Sequence, residues 1–116
     1  MNKSNILKKS YEIETLLKNK ESVGSKYFVI YYKKKENNDV RIAISASKKL
    51  GDAVVRNYQK RVIREIIRKN LKKFEGLDLL FVIKANSLVL DYNEKENQIK
   101  YLIKKMNIKG EKKNEK

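Results

Sequence analysis

From Arg56 onward every fourth residue is basic, Arg56, Lys60, Arg64, Arg68 and Lys72, while Val55, Val62, Ile63 and Ile66 recur on the opposite side. Residues four apart are neighbours on a helix, so the segment of about 53 to 73 reads as one amphipathic helix. It carries a slowly spiralling ridge of cations, with Arg61 alongside, and an apolar wedge of roughly 100°. Ile67 and Leu71 intrude toward the cations. Such a helix docks its apolar side on a sheet and shows its charges. Only Glu65 offsets the ridge locally, as an intrahelical partner of Arg61 or Lys69, so the self-repulsion points to an external polyanion. Four of the five arginines of the chain lie in this stretch, and a guanidinium grips phosphate oxygens in a fork that lysine cannot reproduce.

The remaining elements follow from local pattern. Ser10 caps a short helix in which Glu12 and Glu14 lie near the positive end and Ile13, Leu16 and Leu17 share a face. YFVIYY (27 to 32) and VRIAISAS (40 to 47) read as strands joined by the polar turn KKKENND into a β-hairpin. One face of the second strand carries Val40, Ile42, Ile44 and Ala46. The other carries Arg41, Ala43, Ser45 and Ser47, which leave room for a ligand or meet solvent. Gly51 and a capping Asp52 precede the basic helix. The continuous apolar run DLLFVIK (78 to 84) reads as a central strand covered on both faces. Asp91 and Glu94 form a D-x-x-E cap for a last helix with Ile99, Leu102, Ile103 and Met106 as its buried stripe. The order helix, strand, strand, helix, strand, helix indicates an α+β fold, a small sheet packed with helices. Residues 1–107 form one domain, and the basic tail 108–116 has nothing to bury and reads as disordered.

Composition narrows the partner. A formal charge of +15 on 116 residues suits nucleic acid or an anionic membrane surface. Lysine excess alone can reflect an AT-rich genome, and Lys33, Lys34 and Lys35 read as a solvated turn; arginine is the residue such a bias makes scarce. Without cysteine or histidine there is no disulfide, no thiolate or imidazole metal site and no Cys or His nucleophile or base. The scattered carboxylates form no metal cage. No apolar run approaches a membrane span, so a soluble cytoplasmic protein without a membrane partner is the simplest reading.

The stretch SKKLGDAVVRNYQKRVIRE resembles the signature of the bacterial ribonuclease P protein subunit: a serine and two lysines, a glycine, a small-residue turn, then R-N-x-x-K-R-x-x-R. The match falls on Ser47, Lys48, Lys49, Gly51, Ala53, Val54, Arg56, Asn57, Lys60, Arg61 and Arg64, and the likeness runs from about Leu7 to Met106. Tyr58 stands where the family usually has arginine, Ile6 where a basic residue is usual, and Ile13 and Leu17 where phenylalanines are typical.

The resemblance implies the small protein partner of a catalytic RNA that removes the 5′ leader from precursor tRNA, in a ribosomal-protein-like α+β sandwich with a left-handed βαβ crossover. It implies that the RNA does the chemistry, with Mg2+ expected at the RNA active site; no catalytic residue, no metal site on the protein and no obligate protein partner is assigned. Lys48, Lys49, Arg56, Asn57, Lys60, Arg61, Arg64 and Arg68 become the candidates facing RNA. A cleft between the first helix and the sheet holds the single-stranded leader, with Ile13, Leu17 and Phe28 as its floor and Tyr31 on the opposite pleat.

The residues by themselves leave alternatives. Phe28 and Tyr31 suit ordinary core packing as well as leader contact. Asn57 suits a cap or brace of the helix start as well as RNA contact. A structural RNA-binding protein of ribosomal type would share charge and fold without promoting cleavage. A protein-only metal nuclease lacks its ligands here, and a helix-turn-helix is disfavoured because a strand follows the basic helix.

Overall fold

The apolar run near residue 80 becomes the strand around which the other elements are built. A computed structural model of the chain describes residues 13, 14, 17, 18 and 21 to 114, those after Met106 by backbone alone. One sheet contains β1 (Ser22–Gly24), β2 (Phe28–Lys34), β3 (Arg41–Ala46) and β4 (Leu77–Ile83), in the order β1-β2-β4-β3. β4 pairs antiparallel with β2 and parallel with β3, and β1 pairs antiparallel with β2.

The hairpin read from the sequence does not form: β2 and β3 are not partners, because β4 lies between them. The physical reason is in β4 itself. Its side chains are apolar on both pleats, and a central position buries both, whereas a β2–β3 hairpin would leave this strand at an edge. The segment after β2 therefore crosses the end of β4. Its passage is fixed by the Lys35 N–H donating to the Gly76 carbonyl at 2.8 Å and by the Lys35–Asp78 ion pair at 3.0 Å. Gly76 has φ 77°, and an added Cβ would meet the Asn37 carbonyl oxygen at 3.3 Å, so a side chain there is both strained and crowded. The three-residue β1 was not anticipated, its one buried apolar residue, Val23, being too little pattern to read.

Two helices cover one face of the sheet. α1 (Ala53–Lys69) links β3 to its parallel neighbour β4 and packs on β3; α2 (Tyr92–Asn114) packs on β1 and β2. Between them lies the core: Phe28, Ile30, Ile42, Leu79, Phe81 and Ile83 from the sheet, Ile63, Ile66 and Ile67 from α1, and Ile99, Leu102, Ile103 and Met106 from α2. Each such side chain, fully buried, contributes about 1.5–3 kcal/mol. The stripe expected on α2 is thus the buried one. On α1 the wedge is turned from its expected position: Ile67 is fully buried, while Val55 and Val62 are only half-buried. The sheet reaches across to Ile67 and draws the buried arc toward the first cations.

The capping assignments of Asp52 and of Asp91 with Glu94 hold. The Val55 N–H donates to Asp52 Oδ1 at 3.1 Å at the start of α1. At the start of α2 the Asp91 N–H donates to Glu94 Oε1 at 3.0 Å and the Glu94 N–H to Asp91 Oδ1 at 2.8 Å, a reciprocal box. The backbone of α2 stays helical to Asn114, past residue 107 where the sequence reading placed a disordered tail. Nothing in this stretch forbids helix: it has no proline, and one interior glycine weakens a helix by only about 1 kcal/mol. Residues 13, 14, 17 and 18 are helical, as expected; Ser10, Glu12 and Leu16 lie outside the described residues.

Candidate nucleic-acid interface

The basic surface begins before α1. Lys48–Leu50 form a 3-10 turn, with the Lys49 N–H donating to Ser47 Oγ at 3.2 Å and Leu50 buried beneath. This anchoring leaves Lys48 and Lys49 exposed at the entrance to the helix. Gly51, at φ 137°, makes the bend into the Asp52 cap, and an added Cβ there would press on Val55 at 3.3 Å. Asn57 is exposed, and the capping role falls to Asp52 rather than to its amide.

Exposure along the ridge follows from helix geometry. Steps of four residues at about 100° each advance the position by about 40°, so a ridge starting beside the core turns progressively into solvent. Arg56 and Lys60 are half-buried, whereas Arg64 and Arg68 are exposed, with exposed Arg61 beside them; the helix ends at Lys69, short of the expected residue 73, and Lys72 is exposed on the 3-10 turn Leu71–Phe74 that follows. Arg56 Nε is enclosed by protein without a hydrogen-bond partner among the described residues.

Internal pairing takes few of these charges. Glu65 accepts from Arg68 Nη2 at 2.8 Å, so its partner is Arg68 and not Arg61 or Lys69; i,i+3 spacing puts the two side chains on one flank. Both are well exposed, and such a pair contributes only about 0.3–0.5 kcal/mol. Lys69 Nζ lies 4.9 Å from the Tyr92 ring centroid, and the neighbouring Tyr92 phenol is the main cause that holds its ammonium pKa above the usual lysine value. It belongs to the α1–α2 contact. Among the described residues, Arg61 and Arg64 make no ion pair.

A second surface lies on the sheet face turned away from the two helices. Register places Tyr31 beside Leu80 and Leu80 beside Ala43, and in the next row Val29 beside Val82 and Val82 beside Ser45. Ile13, Tyr31, Ala43 and Val82 gather around Leu80 as a small cluster separate from the core. Leu17 is largely exposed.

Phe28 requires a correction. It is fully buried on the opposite pleat, its ring centroid 5.7 Å from that of Phe81, so Tyr31 shares the face of Ile13 and Phe28 does not. The two helices cover Phe28's face, and period-two alternation then fixes Tyr31 outward. Leu80 and Val82 went unnamed as cleft residues, although a run read as covered on both faces already implied a second apolar surface; Ala43 lies on the face read as leaving room for a ligand or meeting solvent.

The two surfaces meet. A groove of about 400 Å³ at the ends of β3 and β4 is lined by Ser47, Lys49, Val82, Ile83, Lys84, Ala85 and Asn86. Val82 belongs also to the sheet cluster, and Lys49 to the turn that opens the basic helix. Lys84, likewise missed, donates its ammonium to the Ser25 carbonyl at 3.0 Å. Among the described residues no three acidic, histidine or cysteine side chains cluster, and no helix is long and apolar enough to cross a membrane.

The family model described as Ribonuclease P matches residues 1–107. This chain belongs to the ribonuclease P protein family. The ribonuclease P protein component of Streptococcus gordonii is 35% identical over 104 residues, covering 90% of this chain and 87% of that one. That of Clostridium botulinum is 37% identical over 108 residues, covering 91% and 97%. A solved structure of the Staphylococcus aureus ribonuclease P protein superposes with a TM-score of 0.79 at 29% identity, over 88% of this chain and 94% of the other. The α+β architecture is therefore that of ribonuclease P proteins. The chain is a ribonuclease P subunit, engaged in tRNA processing.

Proposed function

We propose that the protein binds the ribonuclease P RNA through the exposed arc of α1 and the Lys48–Leu50 turn. Precursor tRNA enters on the other surface, its single-stranded 5′ leader lying over Ile13, Tyr31, Ala43, Leu80 and Val82 and passing toward Lys49. The observation that carries this reading is the exposure of Arg61 and Arg64, clear of any acidic partner among the described residues, on a helix whose other side is locked in the core. Folded RNA is met through its phosphates by such a face, whereas an extended strand needs an apolar floor with a few cations at its margin. Phe28 supports the floor from within the core and touches no ligand.

The RNA subunit carries out the endonucleolytic step in the cytoplasm, with Mg2+ held by RNA, where phosphodiester hydrolysis calls for paired metals in an anionic cage. The protein lowers the magnesium requirement by neutralising crowded phosphates. The test combines the protein, a bacterial ribonuclease P RNA and precursor tRNA across a magnesium series, omitting each component in turn. Protein dependence of cleavage is expected to be strongest at low magnesium. Cleavage by protein alone would indicate a protein nuclease; binding without rescue would indicate a structural RNA-binding protein; an equal effect at all magnesium concentrations would refute the neutralising role.

A further inference from the structure

α1 has one aromatic residue, and it faces outward. Tyr58 is 55% exposed, and Val54, one turn earlier, is 77% exposed. At i and i+4 these two form a continuous apolar patch on a helix face otherwise made of charged and polar groups. Arg61 lies one turn beyond Tyr58, exposed Asn57 beside it, and Lys48 and Lys49 just ahead of the helix. Three other tyrosine rings are occupied: Tyr27, Tyr92 and Tyr101 each have a lysine ammonium within 5.1 Å of the ring centroid. Among the described residues no cation or second ring lies over Tyr58, although Arg61 stands one turn away.

We infer that Tyr58, backed by Val54, is a stacking platform for an unpaired base of the RNA that the ridge holds. This deepens the proposed function and rests on it. A flat exposed ring with Arg61 one turn away and Lys48 and Lys49 ahead of its helix suits a nucleotide, whose phosphate goes to guanidinium or ammonium while its base covers the ring. A protein partner would need carboxylates to meet the same surroundings, and its apolar contact would end at two side chains. Folded RNA supplies unpaired bases in loops and bulges, and stacking accepts any of them. Tyr58 therefore adds affinity without adding charge.

The test uses the full chain and a bacterial ribonuclease P RNA, titrated at several salt concentrations. Tyr58→Ala should weaken binding about tenfold with an unchanged salt slope, because no phosphate contact is lost. Tyr58→Phe should stay within about twofold of wild type. Tyr58→Trp introduces the only tryptophan of the chain, and its fluorescence should be quenched as RNA binds. Since the residue is exposed, thermal unfolding of all three should match wild type. The inference is overturned if Tyr58→Ala binds within twofold of wild type, if its loss comes with a reduced salt slope, or if the tryptophan signal is unmoved in the bound state. A wild-type protein that fails to bind the RNA would remove the proposed function itself, whereas equal binding by wild type and Tyr58→Ala removes this inference alone.

Discussion

Gln59 and Lys95 close the contact between the two helices. Both are buried, and Lys95 Nζ donates to Gln59 Oε1 at 2.8 Å. Burial pushes the Lys95 ammonium below the usual lysine pKa, with Asp91 pulling it partly back. Between the lowered folded value and the ordinary unfolded one the unfolded chain binds more protons, so this group makes stability rise with pH across that window. Gln59→Leu, which strands a buried ammonium, should lower stability by about 1.5–3 kcal/mol in urea unfolding at neutral pH. Lys95→Met should lower it less and should flatten the alkaline rise relative to wild type. An equal loss in both variants would mean that the hydrogen bond is immaterial. The pair was only half legible in sequence: the helical position of Gln59 falls among the apolar residues of α1, but no pattern names a partner thirty-six residues away.

At the scale of elements, caps and amphipathic faces depend on residues a turn apart, and these were readable. Asp52 and the Asp91–Glu94 box sit where the sequence placed them. Asp52→Ala should lower stability by about 1 kcal/mol, the typical loss for an N-cap, read as a shift in the denaturation midpoint. A larger change in RNA affinity than in stability would show that the cap also orients the Lys48–Leu50 turn. Strand order was not readable, because KKKENND fits a tight turn equally well whether the chain doubles back beside β2 or crosses the end of β4. Only competition for the doubly buried central place decides it. The same limitation displaced Phe28: alternation within β2 separates Phe28 from Tyr31, but which pleat faces the helices depends on the whole sheet. The cation ridge was legible from Arg56 to Arg68 but not its end before Lys72, and its gradient, with Arg56 and Lys60 drawn toward the core, required the position of β3.

For the whole molecule, a net charge of +15 makes folding and binding respond to salt with opposite signs. Screening relieves self-repulsion in the free protein, so its unfolding temperature should rise as monovalent salt is added from a low level. The same salt should weaken the proposed RNA binding, because each phosphate contact releases counterions. An unfolding temperature that falls with added salt would show that internal ion pairs outweigh the repulsion. The most direct test of the account is the slope of log binding constant against log salt for the protein and a bacterial ribonuclease P RNA, compared with that of the Arg61→Ala, Arg64→Ala double variant. A steep negative slope in wild type, reduced by about 2 in the double variant, is the result expected of two phosphate contacts. An unchanged slope would contradict the claim that this face of α1 meets RNA.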